Sequence, residues 1–139
     1  MNPNEINKTN NWPGADTLGR LELGEVGELL AREMLEADGY TILLRNYRCK
    51  MGEIDLIYAM DKLLVFGEVK CRKSLVFGLP LEAVTAKKIR HIRRVASWYL
   101  TRKICTGEKY NDYDMRFDVI EVVFVGNEYL INHVKNAFW

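Results

Sequence analysis

Two carboxylates and an amine stand inside apolar runs of this chain. Asp55 lies in Gly52-Glu53-Ile54-Asp55-Leu56-Ile57, and Glu68 and Lys70 lie in Phe66-Gly67-Glu68-Val69-Lys70. Burying such groups is expensive unless they pair or hold a metal. Side chains alternate across a strand, so Glu68 and Lys70 share a face, as do Glu53 and Asp55. If the two runs pair as a hairpin, nearby registers bring the Asp55 and Glu68 carboxylates together. Two carboxylates held close repel, and one protonates unless a cation lies between them. Hard oxygen donors with no histidine or cysteine beside them suit Mg²⁺ or Mn²⁺ rather than zinc. An ammonium alongside, Lys70, can orient an attacking water or neutralise developing phosphate charge. These groups together make an apparatus for hydrolysing a phosphodiester. The alternative is a cross-strand ion network on a solvated sheet face. Glu28 borders the apolar face of a helix and could serve the same cleft as a supporting acid, whereas Glu53 fits a rim or structural acid.

The elements that position these residues can be read from periodicity. Leu18 to Asp38 carries Leu23, Gly27, Leu30, Ala31, Met34 and Leu35 on one helical face, and Gly39 follows as a terminator. Tyr40 to Arg48 is a strand. Glu53 to Tyr58 and Leu63 to Lys70 form a hairpin around residues 59–62. Ser74 to Leu79 is a loop, and Pro80 suits the first turn of a short helical segment. Thr85 is a plausible N-cap for a second helix running to about Arg102, with Ile89, Ile92, Ala96 and Tyr99 as its buried stripe. Thr106 to Met115 is a polar loop, Arg116 to Val125 a strand, Gly126-Asn127 a turn, and Tyr129 to Val134 a last strand. The order α-β-β-β-α-β-β describes a mixed sheet flanked by helices.

At 139 residues and 48% hydrophobic, the chain is long enough for one domain with a real core. No apolar run approaches the roughly 20 residues that span a bilayer. The asparagine-rich stretch 1–16 lacks a signal-peptide pattern and is expected as a flexible polar tail, which with reduced cysteines suggests a cytoplasmic protein. Three cysteines without a Cys-x-x-Cys pair argue against a zinc site or a disulfide framework. Net charge is only +1, but residues 70–103 hold ten of the twenty Lys and Arg and a single acid, Glu82. Lys87, Arg90, His91 and Arg94 line one helical face, and Arg72 and Lys73 follow the site strand. Phosphate-backbone contact is the expected use of Arg72, Lys73, Lys87, Arg90 and Arg94. A solvated helix face is the plainer reading. Trp98 and Tyr99 fit core or interface positions better than base-stacking platforms. His133, and the pair Arg116 and Asp118, fit structural roles.

The blocks Gly27-Glu28-x-x-Ala31, Leu35, Gly39-Tyr40, Asn46-Tyr47-Arg48, Gly52 to Ile57, Phe66-Gly67-Glu68-Val69-Lys70-x-Arg72 and Arg116-Phe117-Asp118-Val119 resemble the YraN family. Its members are small bacterial proteins similar to archaeal-type Holliday junction resolvases, within the restriction-endonuclease-like superfamily that carries the PD-(D/E)xK motif. The resemblance covers residues 17 to 137. It implies an α/β, restriction-endonuclease-like fold with a central mixed β-sheet flanked by helices, as a single domain over 17–139. It implies that Asp55 and Glu68 match the metal ligands, Lys70 the catalytic lysine and Glu28 the helix-borne acid. Lys87 lies near where some superfamily members carry a further site residue. The proline of the name motif is absent, and Ile54 precedes Asp55. The expectation is a Mg²⁺- or Mn²⁺-dependent nuclease acting on DNA, with branched or recombining structures among the substrates. Junction-cutting relatives are dimeric, which makes a homodimer a candidate assembly. One rival is a DNA-binding accessory protein of repair or recombination that cuts little. Another is a structural α/β protein that assembles with itself or with another protein.

Overall fold

The computed structural model describes residues 6–8, 19–73, 85–105, 110 and 112–137. Within them the elements are β1 (Ile6–Lys8), α1 (Arg20–Ala37), β2 (Thr41–Cys49), β3 (Gly52–Met60), β4 (Leu63–Lys73), α2 (Ala86–Cys105), β5 (Asp114–Val125) and β6 (Glu128–Val134). The sheet has the order β1-β6-β5-β4-β3-β2. Only β4 and β5 run parallel, joined through α2, so the sheet is mixed. The expected strand and helix order is present. Ile6–Lys8, inside the stretch expected as a tail, form one further strand, paired with β6 at Ile6↔Leu130 to Lys8↔Glu128. Backbone pairing needs no apolar pattern, and Ile6 is the one apolar residue among these three. The loop 74–79 and Pro80 fall outside the described residues.

Each helix covers one face. Leu23, Ala31, Met34 and Leu35 of α1 pack with Leu56, Tyr58, Val65, Ile120, Val122 and Phe124. Ile92, Val95, Ala96 and Tyr99 of α2 pack with Ile54, Ile57, Leu64, Phe66, Phe117 and Val119 on the other side. β5 is buried along residues 117–124 because both faces are covered, so its sequence reads as a near-continuous apolar run. The Thr85 hydroxyl accepts from the Lys88 backbone N–H at 3.2 Å, capping α2 as its sequence suggests. No helix among the described residues is long and apolar enough to cross a membrane.

A polar knot ties β5 to its neighbours on the α1 side. The fully buried Asp118 accepts from Arg116 Nε and Nη2 at 2.7 and 2.8 Å, the Tyr58 hydroxyl at 2.7 Å and the Asn136 N–H at 3.0 Å. His133 Nε2 lies 2.7 Å from the same carboxylate. Burial alone would raise the Asp118 pKa, but the hydrogen bonds from His133, Arg116, Asn136 and Tyr58 outweigh it and hold the carboxyl well below its usual range. Arg116 also donates to the Tyr40 hydroxyl at 2.8 Å. Arg116, Asp118 and His133 are thus structural, as their sequence context suggests.

Candidate metal and nucleic-acid site

The β3–β4 ladder runs from Met60↔Leu63 to Leu56↔Gly67 and stops there. Both strands continue. β3 stays paired to β2 as far as Cys49↔Gly52, and β4 stays paired to β5 as far as Lys73↔Phe124. The sheet therefore forks between β3 and β4. Asp55 is the first residue of β3 inside the fork, and Glu68 the first of β4.

Strand alternation fails at the same point. Ile54 packs toward α2 and Leu56 toward α1, whereas a regular strand would place residues two apart on one face. On the β2 side, the pairs Arg45↔Leu56 and Tyr47↔Ile54 bracket Asn46 opposite Asp55. Asn46 adopts a left-handed backbone with φ 51°, a conformation that asparagine tolerates better than most residues. Asp55 thus sits where β3 has lost regular pairing on both edges. In place of a ladder bond, its Oδ2 accepts the Val69 N–H at 2.8 Å.

Asp55 lines a cavity of about 540 Å³ on the α1 side, together with Glu28, Asn46, Arg48, Val69 and Cys71. Glu28 reaches it because α1 lies close to β4 at the preceding residue. A Cβ on Gly27 would overlap the Cys71 Sγ. Burial raises the Glu28 pKa, opposed by Arg32, Arg45 and a hydrogen bond from Asn46, with Glu25 adding to the rise. Burial also pushes the Cys71 thiol up to about 12, with Asp55 and Glu28 adding to the shift.

Glu68 approaches from the α2 side, where Lys88 Nζ meets its Oε1 at 2.9 Å. That hydrogen bond raises the Lys88 pKa. Asp55 and Glu68 therefore do not stack on one sheet face, as simple alternation suggests. They lie on either side of the fork, Asp55 in the α1-side cavity and Glu68 against Lys88 of α2. The two charges interact. The Asp55 carboxyl is pushed up to about 7, by burial first and by the Glu68 charge second; the Val69 N–H opposes this, Glu28 adds to it, and Lys88 opposes it more weakly.

Lys70 and Arg72 follow Glu68 on the α2-facing side, since Leu64 and Phe66 pack there. Lys70 is partly buried and is the register partner of the buried Glu121. Arg72 donates to Glu121 at 3.1 Å, which ties it into the sheet. Lys73 is exposed at the end of β4. Lys87 lines a second cavity of about 580 Å³ with Arg48, Glu53, Thr85, Lys88 and His91, beside the fork. Glu53 forms a cross-strand ion pair with Arg48 at 3.0 Å there. Gly52 has φ 135°, and the His91 imidazole fills the place a Cβ would take. Arg90 and Arg94 are exposed on α2.

The structure thus brings Glu28, Asp55 and Glu68 around one fork, with Lys70 two residues along the same strand. Arg90 and Arg94 stand farther along α2. Lys88 and Asn46 join the site without having been singled out as site residues. Lys88 had only a spacing signal: it stands four residues before Ile92 and seven before Val95, at the edge of the buried stripe of α2, and is itself exposed. Asn46 had a weaker one, as a polar, turn-prone residue within a β-forming run.

A cation fits this place chemically. The fork holds hard carboxylate oxygens around a poorly solvated negative charge, the donor set of Mg²⁺ or Mn²⁺. Among the described residues, no three His, Cys, Asp or Glu side chains converge as a complete metal cage. An ion held mainly by Asp55 and Glu68 would complete its shell with water, as Mg²⁺ commonly does.

The chain is similar over most of its length to proteins of one family. The model of the family described as uncharacterised protein family UPF0102 matches residues 27–122, from Gly27 through the fork and α2 into β5. A UPF0102 protein of Caldicellulosiruptor saccharolyticus is 48% identical over 123 residues, covering 87% of this chain and 100% of that protein. One from Alkaliphilus oremlandii is 48% identical over 117 residues, covering 84% and 97%. One from Clostridium botulinum is 40% identical over 119 residues, covering 84% and 94%. These names carry a family and no activity. The chain belongs to the uncharacterised protein family UPF0102, the YraN-like group whose sequence blocks it bears.

Proposed function

We propose that the protein is a Mg²⁺- or Mn²⁺-dependent nuclease that hydrolyses phosphodiester bonds in DNA, with branched or recombining structures among its substrates. We also propose that its mixed sheet is of the restriction-endonuclease-like kind. The observation that carries the reading is the position of Asp55: a carboxylate at a sheet fork with Glu68 across it, its proton affinity raised by burial first and by the Glu68 charge second. A divalent cation bound there supplies Lewis acidity toward a phosphoryl oxygen and acidifies water. Asp55 and Glu68 hold it, and the Val69 N–H fixes the Asp55 carboxylate. Lys70, from the strand that carries Glu68, orients the attacking water or neutralises charge on the phosphate. Glu28 supports the Asp55 side of the fork and can accept a proton there. Lys87, Lys88, Arg90 and Arg94 hold the DNA backbone along α2. Arg72 contributes charge from within its Glu121 ion pair, and Lys73 extends the basic surface. A homodimer belongs to the same proposal, because paired incisions across a junction need two sites.

One observation favours the rival of a weakly cutting DNA-binding accessory protein: Lys88 already neutralises Glu68 at 2.9 Å. A panel of duplex, single-stranded, flap and four-way-junction DNAs, incubated with Mg²⁺ or Mn²⁺, separates the two. The nuclease reading expects cleavage of at least one substrate that Asp55→Ala and Lys70→Ala abolish while the fold persists. Equal cleavage by wild type and both variants would remove this mechanism. Binding without turnover on any substrate would favour the accessory protein.

A further inference from the structure

A further cavity opens on the exposed side of α2, lined by none of the fork carboxylates. Trp98 belongs to neither core cluster, whereas its neighbour Tyr99 is only 2% exposed and packs against the sheet. The Trp98 indole is half-buried, and two cations lie over its ring. The Arg102 guanidinium carbon lies 4.4 Å from the ring centroid and Lys50 Nζ 4.8 Å from it. The ring opens on a cavity of about 390 Å³ that Met51, Arg93, Arg94, Ser97 and Thr101 complete. Residues 83–107 contain no Asp or Glu, so α2 offers this cavity no internal anion.

We propose that this cavity binds an unpaired nucleobase of a DNA strand, stacked on Trp98 or on the guanidinium covering it, with flanking phosphates on Arg93 and Arg94. The inference rests on the nucleic-acid part of the reading above but not on cleavage. An aromatic face beside a cluster of cations matches a ligand that has both a π-face and negative charge. An acidic polypeptide would satisfy the cations and leave the indole unused. A base within a duplex has no free face, so the ligand is single-stranded or unpaired. Placement on the helix adds a length. Trp98 lies ten residues beyond Lys88, on the order of 15 Å along the axis at about 1.5 Å per residue. A stacked strand advances about 3.4 Å per nucleotide. A strand with a phosphate at the fork would therefore meet Trp98 about four to five nucleotides away. Substrates that become single-stranded at that distance are the ones this surface favours.

The test is fluorescence anisotropy without divalent metal, using the full chain and two labelled probes: a paired duplex and the same duplex with a single-stranded tail. The expected result is preference for the tailed probe. Trp98→Ala should lose about tenfold on that probe and keep duplex affinity, and Trp98→Phe should recover most of the loss. Wild-type affinity of Trp98→Ala for both probes, or equal loss on both, would overturn the proposal. So would displacement of the tailed probe by polyglutamate as effectively as by unlabelled single strand, which would point to a charge-only, protein-binding surface. Wild type binding neither probe would overturn this site and the nucleic-acid reading together. Loss of the cleavage reading, measured with Asp55→Ala in Mg²⁺, would leave the Trp98 preference standing.

Discussion

Asp55 sets the electrostatics of the site. Its carboxyl moves from an ordinary value of 3.8 to about 7 in the fold, by burial and then by the Glu68 charge. Below about pH 4 the group is protonated in the folded and unfolded chain alike. Between about pH 4 and pH 7 the unfolded chain ionises it while the fold resists, so stability falls across that window. Above it, the folded state carries the charge at a cost on the order of 4 kcal/mol before structural relaxation. Asp55→Asn keeps an oxygen for the Val69 N–H and removes the charge. In metal-free thermal melts this variant should exceed the wild type by several degrees near pH 8 and match it near pH 4. Parallel profiles for the two proteins across this range would show that Asp55 is well solvated and that the fork makes no demand for a cation. Lys88 bears on the same balance from the other side. Its ammonium pairs with Glu68 and, more weakly, opposes the rise of the Asp55 pKa.

Gly27 shows how an element delivers a side chain. Without a Cβ at this position, α1 lies against Cys71 on β4, and the next residue, Glu28, lines the cavity with Asp55. Gly27→Ala gains about 1 kcal/mol of helix propensity. It also drives a methyl into the sulfur, an overpacking cost of about 1–3 kcal/mol. The expected net result is lower stability and weaker cleavage, because Glu28 shifts with the helix. Cys71→Ala in the same chain should restore most of both, since it removes the overlapping sulfur and leaves only the residue-71 Cβ, a close contact at 3.3 Å. Additive losses in the double variant would locate the fault elsewhere. Elements of this kind were largely legible in the chain. The α2 stripe of Ile89, Ile92, Ala96 and Tyr99 faces the sheet as its spacing requires, and the apolar run of β5 is buried on both faces. The fork was not legible. Period-two alternation assumes a regular strand, and Asp55 occupies the place where β3 leaves that regularity because its neighbours diverge. Lys88, which pairs with Glu68, stands beside Lys87 and is exposed, so only its spacing to Ile92 and Val95 marked it. Trp98 was read with Tyr99 as core or interface; only Tyr99 joins the core, because Trp98 lies on the next position around α2.

Across the molecule, the two helices give the sheet fork two different approaches. α1 brings an acid to one side and α2 brings cations to the other, so a chain with a net charge of only +1 presents a basic surface at one end of its candidate site. DNA affinity should therefore fall steeply with salt despite the small net charge. Removing Lys87 and Arg94 together should lower the slope of log affinity against log salt by about two, roughly one per phosphate contact, and weaken all sequences alike. An unchanged slope would place the DNA elsewhere on the surface. The fork itself is tested most directly by calorimetric titration of the folded protein with Mn²⁺ near pH 7, comparing wild type with Asp55→Asn and Glu68→Gln. The expected result is uptake of a single ion by the wild type with release of protons, because Asp55 is part-protonated there, and an affinity at least about tenfold lower in each variant. Equal Mn²⁺ affinity in all three folded proteins would contradict a cation shared by these two carboxylates.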